Sequence, residues 1–184
     1  MDSPSVSVII PTLNEEHILP EVLGRLMQLD PQPEEIILVD GGSEDWTTNI
    51  ANSFNIKVLI SPKPGRSVQL HHGIEHASGE YLIFLHADTL VPLDTISCVR
   101  STLSKEKVSL GGFVAIMKGE RVREWFTFLN YIKTYLCPMF YRPVSFFSRR
   151  LKLLFGDQVM FCRKADYEKA GGFDPEMAVM EEMG

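Results

Sequence analysis

The stretch VSVIIPTLNEE, residues 6–16, decides the fold of this chain, because an apolar, β-branched run passes directly into proline and polar residues. Apolar residues then recur at helical spacing over 18–29, so the two segments together predict a βα unit. The alternation continues, with apolar runs at 36–39, 57–60 and 81–85 and helix-length segments at 46–54 and 68–77. Strands that are apolar throughout and separated by helices predict an α/β fold, a mostly parallel sheet sandwiched by helices.

The composition is that of one folded domain. The 184 residues are 45% hydrophobic and 23% charged, and the formal net charge of -6 argues against a nucleic-acid partner. The cysteines Cys98, Cys137 and Cys162 are far apart and odd in number, so neither a disulfide framework nor a zinc site is indicated. Residues 1–10 lack the pattern of a secretion signal, and no apolar run reaches the roughly 18 residues that span a bilayer. We therefore expect a cytoplasmic protein.

Polar residues gather where the predicted strands end. The first strand runs into 11–16, the second into 40–45 and the fourth into 86–89. Each loop also suits helix capping, since residues such as Asn14 and Ser43 are favoured at helix N-termini. Ligands of parallel α/β sheets bind beyond the carboxyl ends of the strands, so the convergence of three polar loops favours a binding site at that edge.

Three stretches resemble the family 2 glycosyltransferases in sequence, order and spacing: SVIIPTLNE at 7–15, ILVDGGSED at 37–45 and LIFLHADT at 82–89. The resemblance implies inverting sugar transfer on a nucleotide-diphospho-sugar transferase fold (GT-A, Rossmann-like), and the His-Ala-Asp form is similar to that of a bacterial subgroup. It further implies one glycosyltransferase domain over 1–184, with a nucleotide-sugar-binding half at 1–110 and an acceptor half at 111–184. Because relatives continue further, we expect the acceptor half to lack its C-terminal end.

The resemblance places Asp88 at the metal-binding end of the family's Asp-x-Asp motif, with His86 in the position of the first aspartate. A nucleoside diphosphate leaving group carries several negative charges that a hard cation stabilises, and carboxylates suit Mg²⁺ or Mn²⁺. The imidazole of His86 can accept a hydrogen bond from ribose or coordinate Mn²⁺, but it brings no negative charge. The predicted metal ligands are therefore Asp88 and His86, and the predicted cofactor is Mg²⁺ or Mn²⁺.

The resemblance also implies a wider donor site around these two residues. Asp40 matches the family's uracil- or ribose-contacting aspartate, and Thr12 and Glu15 match the loop that lines the base. Arg66 opens the third predicted helix, where it suits either phosphate binding or an ordinary place on the solvated surface. The predicted nucleotide-sugar-binding residues are Pro11, Thr12, Asn14, Glu15, Asp40, Gly42, Arg66, His86, Ala87 and Asp88.

On the acceptor side, residues 156–163 resemble a strand of the family and Gly-Gly-Phe-Asp at 171–174 resembles a turn. The family carries an acidic pair shortly after that turn, and an inverting reaction needs a base that deprotonates the acceptor hydroxyl. Glu182, or failing that Glu181, occupies this position, and Asp157 in the matched strand is a third catalytic candidate. The plainer interpretation of Glu182 is a charged chain end.

An aromatic stretch at 125–147 follows a strand predicted at 111–117, and a helix is predicted from about 121 to 136. The simplest interpretation of these aromatic residues is core packing. The alternative is a surface that meets the inner face of a membrane, where basic residues would lie near anionic headgroups. Those basic residues are Arg142, Arg149, Arg150 and Lys152.

Three histidines form the other candidate metal cluster in the sequence. His72 and His76 share a helix face, with His71 beside them. No acidic third ligand is evident unless Glu75 or Glu80 turns toward the imidazoles. We therefore interpret these histidines as part of an ordinary exposed helix face.

The function that these patterns favour is metal-dependent, inverting transfer of a hexosyl group from a nucleoside diphosphate sugar to a hydroxyl acceptor, which is a glycan, a lipid or a small molecule. Nucleotidyl transfer fits less well, because it needs a glycine-rich, basic phosphate loop after the first strand, and residues 11–15 are Pro-Thr-Leu-Asn-Glu. The alternative from another class is a non-catalytic nucleotide-binding module with the same fold, which the histidine at position 86 motivates.

Overall fold

The structure, a computed structural model, describes residues 3–113, 128–129, 132 and 159–171. Strands and helices alternate along the described residues. In chain order they are β1 Val6–Thr12, α1 Leu19–Leu26, β2 Glu35–Asp40, α2 Thr47–Ser53, β3 Lys57–Ile60, α3 Arg66–Glu75, β4 Tyr81–Phe84, α4 Thr95–Leu103, β5 Leu110–Gly112, β6 Met160–Arg163 and α5 Lys164–Lys169.

The strands form one six-stranded sheet in the order β3-β2-β1-β4-β6-β5. β1 pairs in parallel with β2 and with β4, and β2 pairs in parallel with β3, which confirms the parallel α/β core that the sequence predicts. The chain builds outward from β1 to β3 and then returns to β4 on the other side of β1, so the strand order reverses between β1 and β4. Open α/β sheets bind ligands in the crevice outside such a reversal.

Helices cover both faces of the central strands. Ile9 and Ile10 are adjacent in β1 and therefore point to opposite faces, yet both are fully buried. α1 contributes one apolar stripe, formed by Leu19, Val22, Leu23 and Leu26, all of which are buried. Burying one such side chain contributes about 1.5–3 kcal/mol, so these contacts hold the helices against the sheet.

α3 lies unusually close to the sheet because it carries a glycine at the contact. A Cβ atom added at Gly73 would lie 2.5 Å from Cγ2 of Ile9 and 3.0 Å from Cγ2 of Val39. No larger residue fits at position 73 without moving the helix away from β1 and β2. The absence of a side chain there sets the position of α3.

The contacts divide the described residues into two units, one up to Gly111 together with the part from Phe161, and one from Gly112 to Met160. The first unit contains the parallel strands. In the second, the backbone N–H of Phe113 donates to the carbonyl of Val159 at 2.9 Å. The division into a donor half at 1–110 and an acceptor half at 111–184 stays a prediction.

Beyond residue 110 the structure describes a few of the positions at which the sequence predicts a strand or a helix. The strand predicted at 111–117 is described only in its first residues, which belong to β5. Of the helix predicted at 121–136, residues 128, 129 and 132 are described and helical, and Phe128 is 52% exposed. The rest of the aromatic stretch and the basic residues after it lie outside the described residues. Among the described helices, none combines the length and the apolar character needed to cross a bilayer.

Candidate active site

Three loops meet at the carboxyl edge of the parallel strands: loop 1 (residues 13–18) after β1, loop 2 (41–46) after β2 and loop 3 (85–94) after β4. The register pairs Thr12 at the end of β1 with Asp40 at the end of β2, so loops 1 and 2 leave the sheet side by side. Loop 3 begins on the other side of β1, where the N–H of Leu85 donates to the carbonyl of Ile9 at 3.0 Å. The structure therefore brings together the polar loops that the sequence singles out.

Loops 1 and 2 are tied to each other by reciprocal hydrogen bonds. The N–H of Asn14 donates to Oγ of Ser43 at 2.8 Å, and Oδ1 of Asn14 accepts from the N–H of Glu44 at 2.9 Å. The N–H of Glu15 donates to Oγ1 of Thr47 at 2.8 Å. Asn14 has φ of 55°, a left-handed conformation that asparagine tolerates better than most residues. Asn14 thus acts as a bridge that fixes the two loops relative to each other.

A second set of bonds links the same loops on the α2 side. The N–H of Glu16 donates to Oδ2 of Asp45 at 3.1 Å, and Oε2 of Glu16 accepts from the N–H of Trp46 at 3.1 Å. Oδ1 of Asp45 accepts from the N–H of Thr47, the first residue of α2, at 2.9 Å. Asp45 therefore bonds the first residue of α2 while it also joins the loops. The capping interpretation of Asn14 and Ser43 is wrong, because the N-caps of α1 and α2 are Ile18 and Trp46 and neither makes a side-chain capping bond.

Asp40 is buried, with 1% of its surface exposed, and its carboxylate is used within its own loop. Oδ2 accepts from the N–H groups of Gly42 at 2.9 Å and Ser43 at 2.8 Å, and the hydroxyl of Ser43 donates to Oδ1. Gly42 has φ of 100°, a conformation that favours glycine, and this allows the loop to fold back over the carboxylate. The structure thus gives Asp40 a loop-shaping role, and the predicted contact with uracil or ribose stays a prediction.

Gln69 in α3 is a residue that the sequence analysis missed. Its side chain is buried, and Nε2 donates to the carbonyl oxygens of Thr12 at 2.7 Å and Val39 at 2.9 Å. A Cβ atom added at Gly41 would lie 3.0 Å from the same nitrogen. Gln69 therefore joins α3 to the ends of β1 and β2 directly beneath loop 2. The feature of the sequence that could have identified Gln69 is its place as a polar residue on the apolar, core-facing side of the helix, next to Leu70.

Asp88 is exposed on a turn directly after β4. The N–H of Thr89 donates to the carbonyl of His86 at 3.2 Å, and its hydroxyl donates to Oδ1 of Asp88 at 3.2 Å. Ala87 is buried between them with 4% exposure, so it anchors the turn while His86 is half-buried and Asp88 faces solvent. The turn presents one carboxylate at the edge where β1 ends and loop 1 begins.

Glu15 lies close enough to Asp88 for the two charges to interact. The pKa of Glu15 is raised first by burial, then by repulsion from the carboxylates of Asp88 and Asp45. A group of carboxylates that repel one another is a donor set that a divalent cation suits, because oxygen ligands are preferred by Mg²⁺ and Mn²⁺. Asp88 and Glu15 are both oxygen donors, so their chemistry fits a hard cation at this edge, and the predicted role of His86 as a ligand stays a prediction.

The N-terminus of α3 points to the same edge. Arg66 is its first residue, and Gln69, one turn later, contacts the ends of β1 and β2. A ten-residue helix carries partial positive charge at its N-terminus, which favours phosphate groups. Pro11 belongs to β1, where it is paired with Val39. The predicted catalytic residues Asp157, Glu181 and Glu182 lie outside the described residues.

Comparison with known proteins gives these features a family context. The family model described as Glycosyl transferase family 2 matches residues 7–167. A PGL/p-HBAD biosynthesis glycosyltransferase of Mycobacterium bovis (strain BCG / Pasteur 1173P2) is 35% identical over 116 residues, which are 59% of this chain and 45% of that protein. This chain thus spans under half the length of that relative.

Solved glycosyltransferase structures resemble the fold. The mannosyltransferase PcManGT from Pyrobaculum calidifontis, in complex with GDP-Man and Mn²⁺, has a TM-score of 0.68 and 24% identity, covering 96% of this chain and 49% of that one. The Mycobacterium tuberculosis glucosyl-3-phosphoglycerate synthase with Mn²⁺, UDP and glucosyl-3-phosphoglycerate has a TM-score of 0.61 and 21% identity, covering 88% and 57%. These likenesses confirm the predicted GT-A fold.

Proposed function

Because the chain belongs to glycosyl transferase family 2, we propose that it transfers a hexosyl group from a nucleoside diphosphate sugar to a hydroxyl acceptor, with inversion at the anomeric carbon and with a divalent cation. The observation that carries the proposal is the meeting of loops 1, 2 and 3 at the strand-order reversal of a parallel sheet, where Asp88 is exposed and interacts electrostatically with Glu15. That edge is where the fold binds ligands, and the coupled carboxylates are suited to a cation that also binds a diphosphate.

The nucleotide binds across loops 1 and 2, and its diphosphate lies toward α3. The reciprocal hydrogen bonds of Asn14 with Ser43 and Glu44 support this role, because they hold both loops in place before a ligand arrives. Thr12 at the base of loop 1 is 2% exposed, so it supports the loop from below. Arg66 and the N-terminal N–H groups of α3 supply positive charge for the diphosphate.

Asp88, together with Glu15 or His86, would hold the cation, whose positive charge would offset the negative charge on the departing nucleoside diphosphate. The His-Ala-Asp form removes one negative charge relative to Asp-x-Asp, and we propose that Glu15 supplies it from loop 1. An imidazole ligand suits Mn²⁺ better than Mg²⁺, so Mn²⁺ is the preferred ion if His86 coordinates it.

For the transfer itself, a carboxylate takes the proton of the acceptor hydroxyl as its oxygen attacks the anomeric carbon. The bond from that carbon to the diphosphate oxygen breaks on the opposite face, so the configuration is inverted. Glu182 is the proposed base, with Glu181 and Asp157 as alternatives, on the strength of their positions in the sequence. The acceptor is a glycan, a lipid or a small molecule. A lipid acceptor would suit a protein in the cytoplasm that touches the inner face of a membrane through its aromatic stretch.

The experiment that tests the donor site is calorimetric titration with GDP- and UDP-sugars, with and without Mn²⁺. We expect metal-dependent binding that Asp88→Asn abolishes. Asp94→Asn is the matched control, because Asp94 is an exposed aspartate at the end of the same loop and should leave binding intact. Equal metal-dependent binding by the wild type and Asp88→Asn would rule out the proposed cation site.

The non-catalytic module remains the second candidate, because His86 replaces a carboxylate that a transferase would use. It predicts the same donor binding with no release of nucleoside diphosphate in any condition. Transferase activity predicts release that depends on Mn²⁺ and rises when an acceptor is added. Measuring nucleoside diphosphate release with the donor that binds therefore separates the two candidates.

A further inference from the structure

The solvent-facing side of α3 carries a cluster of metal-ligating groups near its C-terminus. Each of His72, Glu75 and His76 offers one ligand atom, and these three atoms all lie within 4.8 Å of one another. The spacing i, i+3, i+4 places these side chains on one helical face. The sequence favoured an ordinary helix face because an acidic third ligand was not evident, and the structure supplies that ligand as Glu75.

The hydrogen bonds within the cluster leave a nitrogen available for coordination. Nδ1 of His76 lies 2.9 Å from the carbonyl oxygen of His72. A carbonyl oxygen only accepts, so Nδ1 of His76 carries a proton and the lone pair of the neutral ring is on Nε2. Metal-binding histidines commonly donate their other ring N–H to a backbone carbonyl in this way. Nδ1 of His72 lies 3.8 Å from Oε2 of Glu75, so the carboxylate is already turned toward the imidazoles.

The backbone beneath the cluster is held in place by the core. The opposite face of α3 buries Gln69, Leu70 and Ile74, and Gly73 brings the helix into close contact with Ile9. The three ligands therefore project from a fixed helix, and small side-chain rotations suffice to bring their atoms to coordinating distance. Sites on such fixed elements hold their geometry better than sites on loops.

The charges around the cluster are mixed. α3 ends at Glu75 with His76 as its C-cap, and the partial negative charge of a helix C-terminus attracts cations. The ammonium of Lys57 lies 2.7 Å from the carbonyl of His76, but it also lies 3.3 Å from Oε1 of Glu35, which offsets its charge. His71 lies on the other side, with Nε2 3.5 Å from Oε1 of Glu75.

We propose that His72, Glu75 and His76 bind a divalent transition-metal ion of the zinc type, at a site separate from the cation site of Asp88. Two imidazole nitrogens and one carboxylate oxygen form a three-ligand set that zinc completes with water, whereas Mg²⁺ prefers oxygen ligands throughout. With a rise of about 1.5 Å per residue, the cluster lies roughly 9 to 15 Å along α3 from Arg66. The bound ion links three side chains at the end of α3. Because it binds the folded state, it stabilises that state by mass action.

Cobalt is the probe that tests this site. Four-coordinate Co²⁺ with nitrogen ligands absorbs visible light much more strongly than Co²⁺ bound by oxygen ligands. Titration of the full chain with Co²⁺ should produce this band, and Zn²⁺ should displace it. The band should persist in Asp88→Ala, which removes the other cation site. His72→Ala and His76→Ala should each abolish it or weaken Co²⁺ binding by more than about tenfold.

His71→Ala is the matched control, since it removes a neighbouring histidine that the site does not use. Retention of the band in this variant supports the assignment. Loss of the band in His71→Ala, its survival in both His72→Ala and His76→Ala, or its absence from the wild type would overturn the proposal. Circular dichroism of each variant without metal checks that the helix content is unchanged. Glu75→Gln is a further variant, of nearly equal size, that removes the charge of the third ligand.

Discussion

The side-chain amide of Gln69 donates a hydrogen bond to the carbonyl oxygen of Thr12 at 2.7 Å, across 57 positions of sequence. The same nitrogen donates to the carbonyl of Val39 at 2.9 Å. These carbonyls lie at the ends of β1 and β2, where the sheet ladder stops and loops 1 and 2 begin. One buried amide from α3 thereby supports both loops of the proposed nucleotide site.

Replacing Gln69 with leucine should destabilise the protein. Gln69→Leu keeps most of the volume but removes a donor shared by two carbonyls. The carbonyl of Thr12 keeps its bond from the N–H of Gly41 at 2.8 Å, so we expect the unfolding free energy to fall by about 1 kcal/mol. Urea unfolding measures the change. Gln28→Leu, at an exposed glutamine after α1, should change the unfolding free energy by no more than about 0.5 kcal/mol. Similar values for the two variants would show that the bonds of Gln69 contribute little.

Asn14 allows the backbone and side-chain contributions to loop bridging to be separated. Asn14→Gly loses the bond from Oδ1 to the N–H of Glu44 but keeps φ of 55° without strain. Asn14→Ala loses the same bond and adds roughly 1 kcal/mol of left-handed strain. We expect donor affinity, measured by calorimetry, to fall in both variants and to fall further in Asn14→Ala.

Asn55 is the matched control for that prediction. It also has φ of 55°, but it follows α2 and lies away from loops 1 and 2. Asn55→Ala should therefore lower the free energy of unfolding by about 1 kcal/mol, because alanine is strained in the same left-handed conformation, and it should leave donor affinity unchanged. If Asn55→Ala weakened donor binding as much as Asn14→Ala, general destabilisation would explain both results, and the bridge would have no specific role.

Glu15 should contribute to cation affinity through its proximity to Asp88. Glu15→Gln removes one negative charge from beside Asp88. If that charge contributes about 1.4 kcal/mol to the free energy of Mn²⁺ binding, the Mn²⁺ affinity should fall about tenfold. Electron paramagnetic resonance of free Mn²⁺ measures the bound fraction. Glu44→Gln, at an exposed glutamate of loop 2, should leave the affinity nearly unchanged. Unchanged Mn²⁺ affinity in Glu15→Gln would remove Glu15 from the set of ligands.

The sequence predicted the central strands well because buried strands are apolar along their length, as in Tyr81–Phe84, where all four residues are buried. Lys57–Ile60 is a strand at the predicted bounds, and the helix predicted at 68–77 is found as Arg66–Glu75. Each pattern depends on which residues are apolar and at what spacing, and this is set by the core on which they pack. α4 was not predicted, since Thr95, Ser97, Ser101 and Thr102 have low intrinsic helix propensity, although its buried residues Ile96, Val99 and Leu103 recur at helical spacing.

The candidate site was predictable in its position and less so in its bonding. The carboxyl ends of parallel strands meet at one edge, so Asp88 and loops 1 and 2 were placed together by topology alone. The partners of Asp40 and Gln69 depend on side-chain orientation, and the bonds of Gln69 join residues far apart in sequence. Local patterns carry no information about such pairs, so neither the loop bonds of Asp40 nor the bonds of Gln69 follow from the sequence.

Glu35 makes stability depend on pH. Burial alone would raise its pKa, but the N–H of Ser78, the hydroxyl of Ser7 and the ammonium of Lys57 all donate to the carboxylate, and together they hold its pKa below the usual value. The unfolded state therefore takes up the proton first as pH falls. The stability contributed by Glu35 is present above the usual glutamate pKa of about 4.3 and is lost as pH falls through the folded-state pKa.

Urea unfolding of the wild type and Glu35→Gln at several pH values checks this assignment. The wild type should be the more stable protein at pH 7, and its advantage over Glu35→Gln should shrink as pH falls below about 4.3, because the wild-type carboxylate is then protonated as well. Glu106→Gln, at an exposed glutamate after α4, controls for the loss of one charge and should show little pH-dependent difference. A wild-type advantage over Glu35→Gln that stayed constant or grew at low pH would contradict the sign of the shift, because only a carboxylate stabilised in its ionised form loses its contribution on protonation.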